Sequence, residues 1–255
     1  MDDTLAELES MIGSITYDES FQLAGKCSQL LESNNADEVK EGRKLIISVL
    51  NRLKELPDET KNIWGDLIEA AGFYPYIFQS GVDISEESLA DRARIASFES
   101  DYLDKFLHVE QKGISKKIFS GKNLVVSAPT SFGKSLLIEE IVASRKYKNI
   151  VIIQPTLALL DETRIKLKKY NNTYKIIVRT AQAVAEDRGN IFLLTAERVI
   201  EYDNMPPINF LIIDEFYKLS LRRLDDRADI LNNAFLKIMK VGKPQFYLLG
   251  PNIAG

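Results

Sequence analysis

Apolar positions along the chain follow two different rhythms. Up to about residue 107 they recur at spacings of three and four, the stripe of a helix that buries one face. Glu38–Leu56 carries Val39, Leu45, Ile46, Val49, Leu50 and Leu53 in this way, and Pro57 ends the pattern. Asp58 is placed to cap the next helix, whose apolar face is Ile63, Trp64, Leu67, Ile68 and Ala71. Gly72-Phe73-Tyr74-Pro75-Tyr76 reads as a break. A further helix is expected to start at Ser85-Glu86-Glu87-Ser88 and to run on from Leu89 to Leu107.

Beyond about residue 110 the apolar residues fall in short β-branched runs separated by helical stretches. The runs are Asn123–Ser127, Asn149–Gln154, Lys175–Val178, Asn190–Leu194, Phe210–Ile213 and Gln245–Leu249. Several are continuous rather than alternating, which predicts strands buried on both faces of a parallel sheet covered by helices. The connections are long enough for right-handed crossovers. The expected architecture is an all-helical domain over 1–104 followed by an α/β domain over 105–255.

Charge follows the same division. Residues 1–110 hold 10 Lys+Arg against 23 Asp+Glu, and residues 111–255 hold 23 against 14, within a total of -4. The basic second part is the one suited to a polyanion. No apolar run approaches the ~18 residues of a membrane span. The acidic start Met1-Asp2-Asp3-Thr4 is unlike a signal peptide. One cysteine, Cys27, excludes an internal disulfide, and with His108 as the single histidine a Cys/His metal site is not expected. Both residues read as structural, and the cytoplasm is the expected compartment.

Two stretches carry chemistry. Ala128-Pro129-Thr130-Ser131-Phe132-Gly133-Lys134-Ser135 lies between a predicted strand and a predicted helix. It is a phosphate loop with Ala128 in place of the usual glycine. Backbone N–H groups and the helix N-terminus would face the phosphates of ATP, and Gly133 would allow close approach. Lys134 would reach the β- and γ-phosphates, and the Ser135 hydroxyl would ligate Mg²⁺. Eighty residues past Lys134, the buried run Phe210–Ile213 ends in Asp214-Glu215. At the C-terminal end of a parallel strand these carboxylates face the ligand crevice. Asp214 would hold Mg²⁺ through water, and Glu215 would orient and deprotonate the attacking water.

Together these residues resemble the first RecA-like domain of superfamily 2 DEAD/DEAH-box helicases, over about residues 105–255. Residues 128–135 are similar to that family's motif I, and Asp214-Glu215-Phe216-Tyr217 to its DExD/H box. Gln154-Pro155-Thr156-Leu157-Ala158-Leu159-Leu160 resembles motif Ia, and Thr195-Ala196-Glu197-Arg198 resembles motif Ib. The resemblance implies that Pro155, Thr156, Thr195 and Arg198 contact a nucleic-acid backbone, with DNA favoured over RNA. It also implies that Gln111 reads adenine. Each of these has a plainer reading. Pro155-Thr156 suits a strand exit and helix cap, Thr195 an N-cap, and Gln111 an exposed helical position. A basic run, Arg145, Lys146, Lys148, Arg164, Lys166, Lys168, Lys169 and Lys175, is either a solvated face or a nucleic-acid path.

The pattern also departs from the family. Tyr217 takes the box's fourth position, and Leu249-Gly250-Pro251-Asn252-Ile253 replaces the usual Ser-Ala-Thr. A substitute link between Tyr217 and Asn252 is the expectation. The resemblance implies a second RecA-like domain with arginines for the γ-phosphate. None is readable in these residues, so this chain alone should hydrolyse ATP weakly. The wording of the box and of the Gly-Pro-Asn-Ile segment looks like anti-phage defence helicases such as the Hachiman type. That likeness implies a nuclease or other effector subunit docking through residues 1–104. The competing function is a non-catalytic, nucleotide-switched module that docks a partner through its helical domain. A transporter or protease ATPase would leave unexplained the Pro-Thr pairs that follow two successive strands, Pro129-Thr130 and Pro155-Thr156.

Overall fold

The computed structural model describes residues 15–73, 76, 93, 96–128, 132–216 and 226–250. The chain divides into two compact units, Met1–Lys112 and Gly113–Gly255.

The first unit is helical, with α1 Tyr17–Leu31, α2 Ala36–Asn51 and α3 Asp58–Ala70. Thr16 and Glu19 start α1 by a reciprocal cap. The Glu19 carboxylate accepts the Thr16 N–H at 2.8 Å, and the Thr16 hydroxyl accepts the Glu19 N–H at 3.4 Å. Asn35 caps α2 by accepting the Asp37 N–H at 3.0 Å. The cap of α3 differs from the expectation: Pro57 occupies the N-cap, and Asp58 is the first helical residue, its carboxylate paired with Lys61. The buried faces meet around Trp64, whose Nε1 donates to Ser20 Oγ at 3.1 Å, while Ser20 Oγ and Thr60 Oγ1 lie 2.9 Å apart.

The helix expected through Leu107 does not reach it. Glu99 and Phe106 form an isolated antiparallel bridge, and the Ser100 hydroxyl accepts the N–H groups of Tyr102 and Leu103 at 3.3 and 3.2 Å. A serine that bonds its own downstream backbone offers an alternative to the helical ladder. The expected start at Ser85–Ser88 lies outside the described residues. Helix α4, Val109–Phe119, carries the chain across the division between the units.

The second unit is a six-stranded parallel sheet of order β1-β6-β5-β2-β4-β3. The strands are β1 Leu124–Ser127, β2 Asn149–Ile153, β3 Tyr174–Ile177, β4 Gly189–Leu194, β5 Phe210–Asp214 and β6 Gln245–Gly250. Each lies within one residue of its expected bounds. The helices are α5 Lys134–Ala143, α6 Leu157–Leu167, α7 Ala196–Glu201 and α8 Asp226–Gly242.

Alternation along β2 shows why the fold is layered. Ile150 and Ile152 join a core with Leu137 and Ile141 of α5 and Leu160 of α6. Val151 and Ile153 join a second core with Val199 of α7 and Leu231 and Ile238 of α8. Both faces are therefore covered, and each fully buried Ile or Leu contributes roughly 1.5–3 kcal/mol. At the N-terminal edge of the sheet, asparagines pin the strands together. Asn190 donates to Asn149 Oδ1 at 3.0 Å, Asn149 donates to the Pro207 carbonyl at 2.9 Å, and Asn209 Oδ1 accepts the Asn149 N–H at 2.9 Å.

Candidate nucleotide site at the C-terminal edge of the sheet

Because every strand runs the same way, all strand exits open on one edge. The register aligns them: Ser127 pairs with Gly250, Asp214 with Leu249, Ile213 with Ile153, and Ile153 with Leu194. Residues 128, 154–156, 195–198 and 214–215, distant in sequence, thus emerge side by side.

Ala128 is buried, and its N–H donates to the Gly250 carbonyl at 3.0 Å. Alanine is tolerated in place of glycine because the backbone there does not adopt positive φ. Pro129, Thr130 and Ser131 lie outside the described residues. Gly133 has φ 77° and forms the N-cap of α5 with no side-chain cap. The first N–H groups of α5 therefore have no capping side chain, and the helix dipole favours an anion there. Lys134 is half-buried beside them, and Ser135 is exposed.

Asp214 ends β5. Burial pushes its carboxyl above the ordinary range, opposed by a hydrogen bond from Gln154, the Lys134 charge and the Glu215 N–H. That N–H donates to Asp214 Oδ1 at 3.0 Å. Glu215 has φ 60°, a left-handed conformation that costs a non-glycine residue roughly 1–2 kcal/mol. Strain of this kind collects at working sites. The ring of Phe216 lies against Gly250, where an added Cβ would meet Phe216 Cε1 at 2.7 Å. The tip of β5 and the end of β6 are thereby locked together. Tyr217 and Asn252, expected to link these segments, lie outside the described residues.

A cleft of about 300 Å³ brings together Gly133, Lys134, Ser135, Gln154, Asp214 and Glu215. The donor set fits Mg-ATP. An uncapped helix start and a lysine suit phosphate, and one hydroxyl and one carboxylate suit Mg²⁺, which keeps waters and shares phosphate oxygens. No cluster of three or more His, Cys, Asp or Glu able to hold a metal occurs among the described residues.

The Thr-bearing exits act as helix caps. Thr156 Oγ1 accepts the Leu159 N–H at 3.3 Å to start α6, and Thr195 Oγ1 accepts the Arg198 N–H at 3.5 Å to start α7. Thr156 is exposed, while Pro155 and Thr195 are half-buried. Arg198 donates to the Val178 carbonyl at 3.0 Å. Gln111, in the first unit, is buried, and its Oε1 accepts the His108 N–H at 2.9 Å, so part of its side chain caps α4. The basic run does not act as one face. Lys166 pairs with Glu162 at 2.6 Å, Lys169 pairs with Glu139, and Lys146 lies over the Phe119 ring. Arg164, Lys168 and Lys175 converge with Arg188 on an open pocket of about 540 Å³.

Sequence reasoning gave no role to Gln154, although an amide closing the apolar run Ile150–Ile153 is a readable signal. It is buried at the cleft wall, with its Oε1 unpartnered. Tyr247 of β6 was likewise unmarked. Its hydroxyl is buried without a partner, and burial first, then the Asp214 charge, raises its pKa.

Comparison with known proteins agrees with this geometry. Residues 109–246 match the DEAD/DEAH box helicase family. The chain belongs to that family. Residues 1–92 match the anti-bacteriophage protein B N-terminal domain. The chain is 34% identical over 220 residues to anti-bacteriophage protein B of Escherichia coli (strain K12), covering 82% of this chain and 29% of that protein. It is 22% identical over 162 residues to a helicase POLQ-like protein of Caenorhabditis elegans, covering 56% of this chain and 17% of that protein. The chain therefore spans less than a third of the length of either relative. No helix among the described residues is long and apolar enough to cross a membrane.

Proposed function

We propose that this chain is part of an ATP-dependent helicase or translocase of anti-phage defence, acting on nucleic acid, with DNA favoured over RNA. The observation that carries the reading is the convergence of Lys134, Ser135, Asp214 and Glu215 on one cleft at the C-terminal edge. Lys134 and the N-terminus of α5 hold the β- and γ-phosphates. Ser135 and Asp214 hold Mg²⁺, which when bound neutralises charge on the phosphates. Glu215 orients the attacking water and accepts its proton. Glu215, with its left-handed backbone at the strand end, lines the cleft, which supports that role.

Pro155, Thr156, Thr195 and Arg198 lie on the same edge and would meet the sugar-phosphate backbone. Their capping bonds set the loop shape and do not preclude that contact. Residues 1–104 would dock an effector subunit. The match of residues 1–92 to an anti-bacteriophage protein's N-terminal domain supports that role.

The test is ATP turnover by the full-length protein with single-stranded DNA, duplex DNA and RNA, beside Lys134→Ala. Turnover in wild type that rises with nucleic acid and falls at least about 100-fold in the variant supports the proposal. Equal turnover in both overturns it. Nucleotide binding without turnover would turn the reading to a nucleotide-switched docking module.

A further inference from the structure

Two cavities meet at the C-terminal edge. One is the cleft of about 300 Å³ described above. The other, about 110 Å³, lies at the strand exits and is lined by Pro155, Thr195, Ala196 and Leu231, among others. Two residues line both: Gln154 and Asp214. They are the shared wall between the nucleotide cleft and the space at the Thr-bearing loops.

Gln154 has the connections of a link. Its side-chain amide donates to the Asp214 carboxylate. Its own N–H donates to the Leu194 carbonyl at 3.3 Å, one residue before Thr195. Pro155 follows it directly in the chain. With the amide donating to Asp214, Nε2 faces the carboxylate and Oε1 faces elsewhere. That Oε1 is buried and has no partner among the described residues. A buried acceptor left unpaired favours any state that delivers a donor to it.

Resting on the ATPase and nucleic-acid reading above, we propose that Gln154 is a positioning residue that couples the two cavities. In the nucleic-acid-bound state, movement of the 155–156 and 195–198 loops brings a donor to Gln154 Oε1. The amide then settles differently against Asp214, and the metal-holding carboxylate is reset. In the reverse direction, a change at Asp214 alters the loops through the same amide. Coupling of this kind is reciprocal, so it is measurable as binding alone.

The experiment uses the full-length protein and a fluorescein-labelled oligodeoxythymidylate, with an oligouridylate in a parallel arm. The Kd for the strand is measured by anisotropy without nucleotide, and again with Mg²⁺ and a non-hydrolysable ATP analogue. The ratio of the two values is the coupling. Wild type should show a ratio of about 5–150 in one direction. Gln154→Met, which keeps the length and loses both hydrogen-bonding ends, should bring the ratio to within about twofold of unity, whichever way the separate affinities move. Gln154→Leu, which also lacks both hydrogen-bonding ends, should do the same if Gln154→Met does not fold. A variant that weakens both affinities and keeps the wild-type ratio makes Gln154 merely structural and overturns the proposal. A wild type that binds the analogue and either strand with no coupling also overturns it. A wild type that binds neither in a Lys134-dependent way defeats the underlying helicase reading instead, and the two failures are distinct.

Discussion

The two edges of the parallel sheet put similar side chains to opposite uses. At the N-terminal edge, Asn149, Asn190 and Asn209 bond to one another and to nearby backbone. Asn190 also accepts the Ala185 N–H at 2.7 Å and donates to the Ala185 carbonyl at 3.1 Å. At the C-terminal edge, Gln154 and Tyr247 are buried with atoms left unpaired around a carboxylate that burial disfavours in its charged form. The same sheet thus contains a polar edge closed on itself and a polar edge held open. The difference teaches where stability and activity are stored. Substitutions at the first edge should cost stability and spare the chemistry, and substitutions at the second should do the reverse.

The largest expected effect tests the open edge. Glu215→Asn should lower ATP turnover at least about 100-fold, the contribution of a positioned base. Asparagine tolerates the left-handed backbone better than glutamate, so the melting temperature should stay level or rise. A clear fall in melting temperature would mean that Glu215 holds the fold as well. Next, Asn190→Ala should cost about 1–3 kcal/mol in denaturant unfolding, because it strands partners on β2 and the 185 turn. Turnover by the folded variant should be unchanged, and a loss of turnover would erase the contrast between the edges. Gly250→Ala places a Cβ against Phe216 and should disturb both quantities. About 1–3 kcal/mol of stability and roughly tenfold in turnover are expected, since the strained Asp214-Glu215 turn adjoins that ring.

The smallest effect is a control in the helical unit. Burial pushes the Cys27 thiol up to about 12, so near pH 8 it stays protonated and should react with a thiol reagent only as that unit opens. The sign follows from the raised value. This contribution to stability is whole below the unfolded thiol's ordinary range and is lost as pH climbs toward 12. Rapid labelling of the native protein would show that the helical unit opens readily. That would confine the edge comparison to the sheet-bearing unit.

The sheet was legible because its strands are unbroken β-branched runs. Val-Ile-Ile or Phe-Leu-Ile-Ile bounded by polar residues has few homes other than a strand covered on both faces. The strand-end places of Ala128 and of Asp214-Glu215 were legible because their order along the chain implies them. The rest depended on distance. Gln154 and Asp214 are sixty positions apart and become neighbours only through the pairing of β2 with β5. No local pattern announces that meeting. The turn at Ser100 was missed for a local reason, since its hydroxyl outcompeted a helical ladder that the surrounding apolar spacing favoured. The Thr16-x-x-Glu19 box, by contrast, marks the start of α1 in the sequence itself.

The position of β6 has a further consequence, for the order of assembly during synthesis. It is the last in chain order of the six described strands, yet it fills the gap between β1 and β5, and it is the sheet neighbour of β1. Until residues 245–250 have left the ribosome, β1 has no partner among the other described strands. The four strands β5-β2-β4-β3 can form a ribbon earlier, with one open side waiting. A nascent chain should therefore gain the cleft at this edge in a single late step, when β6 slots in.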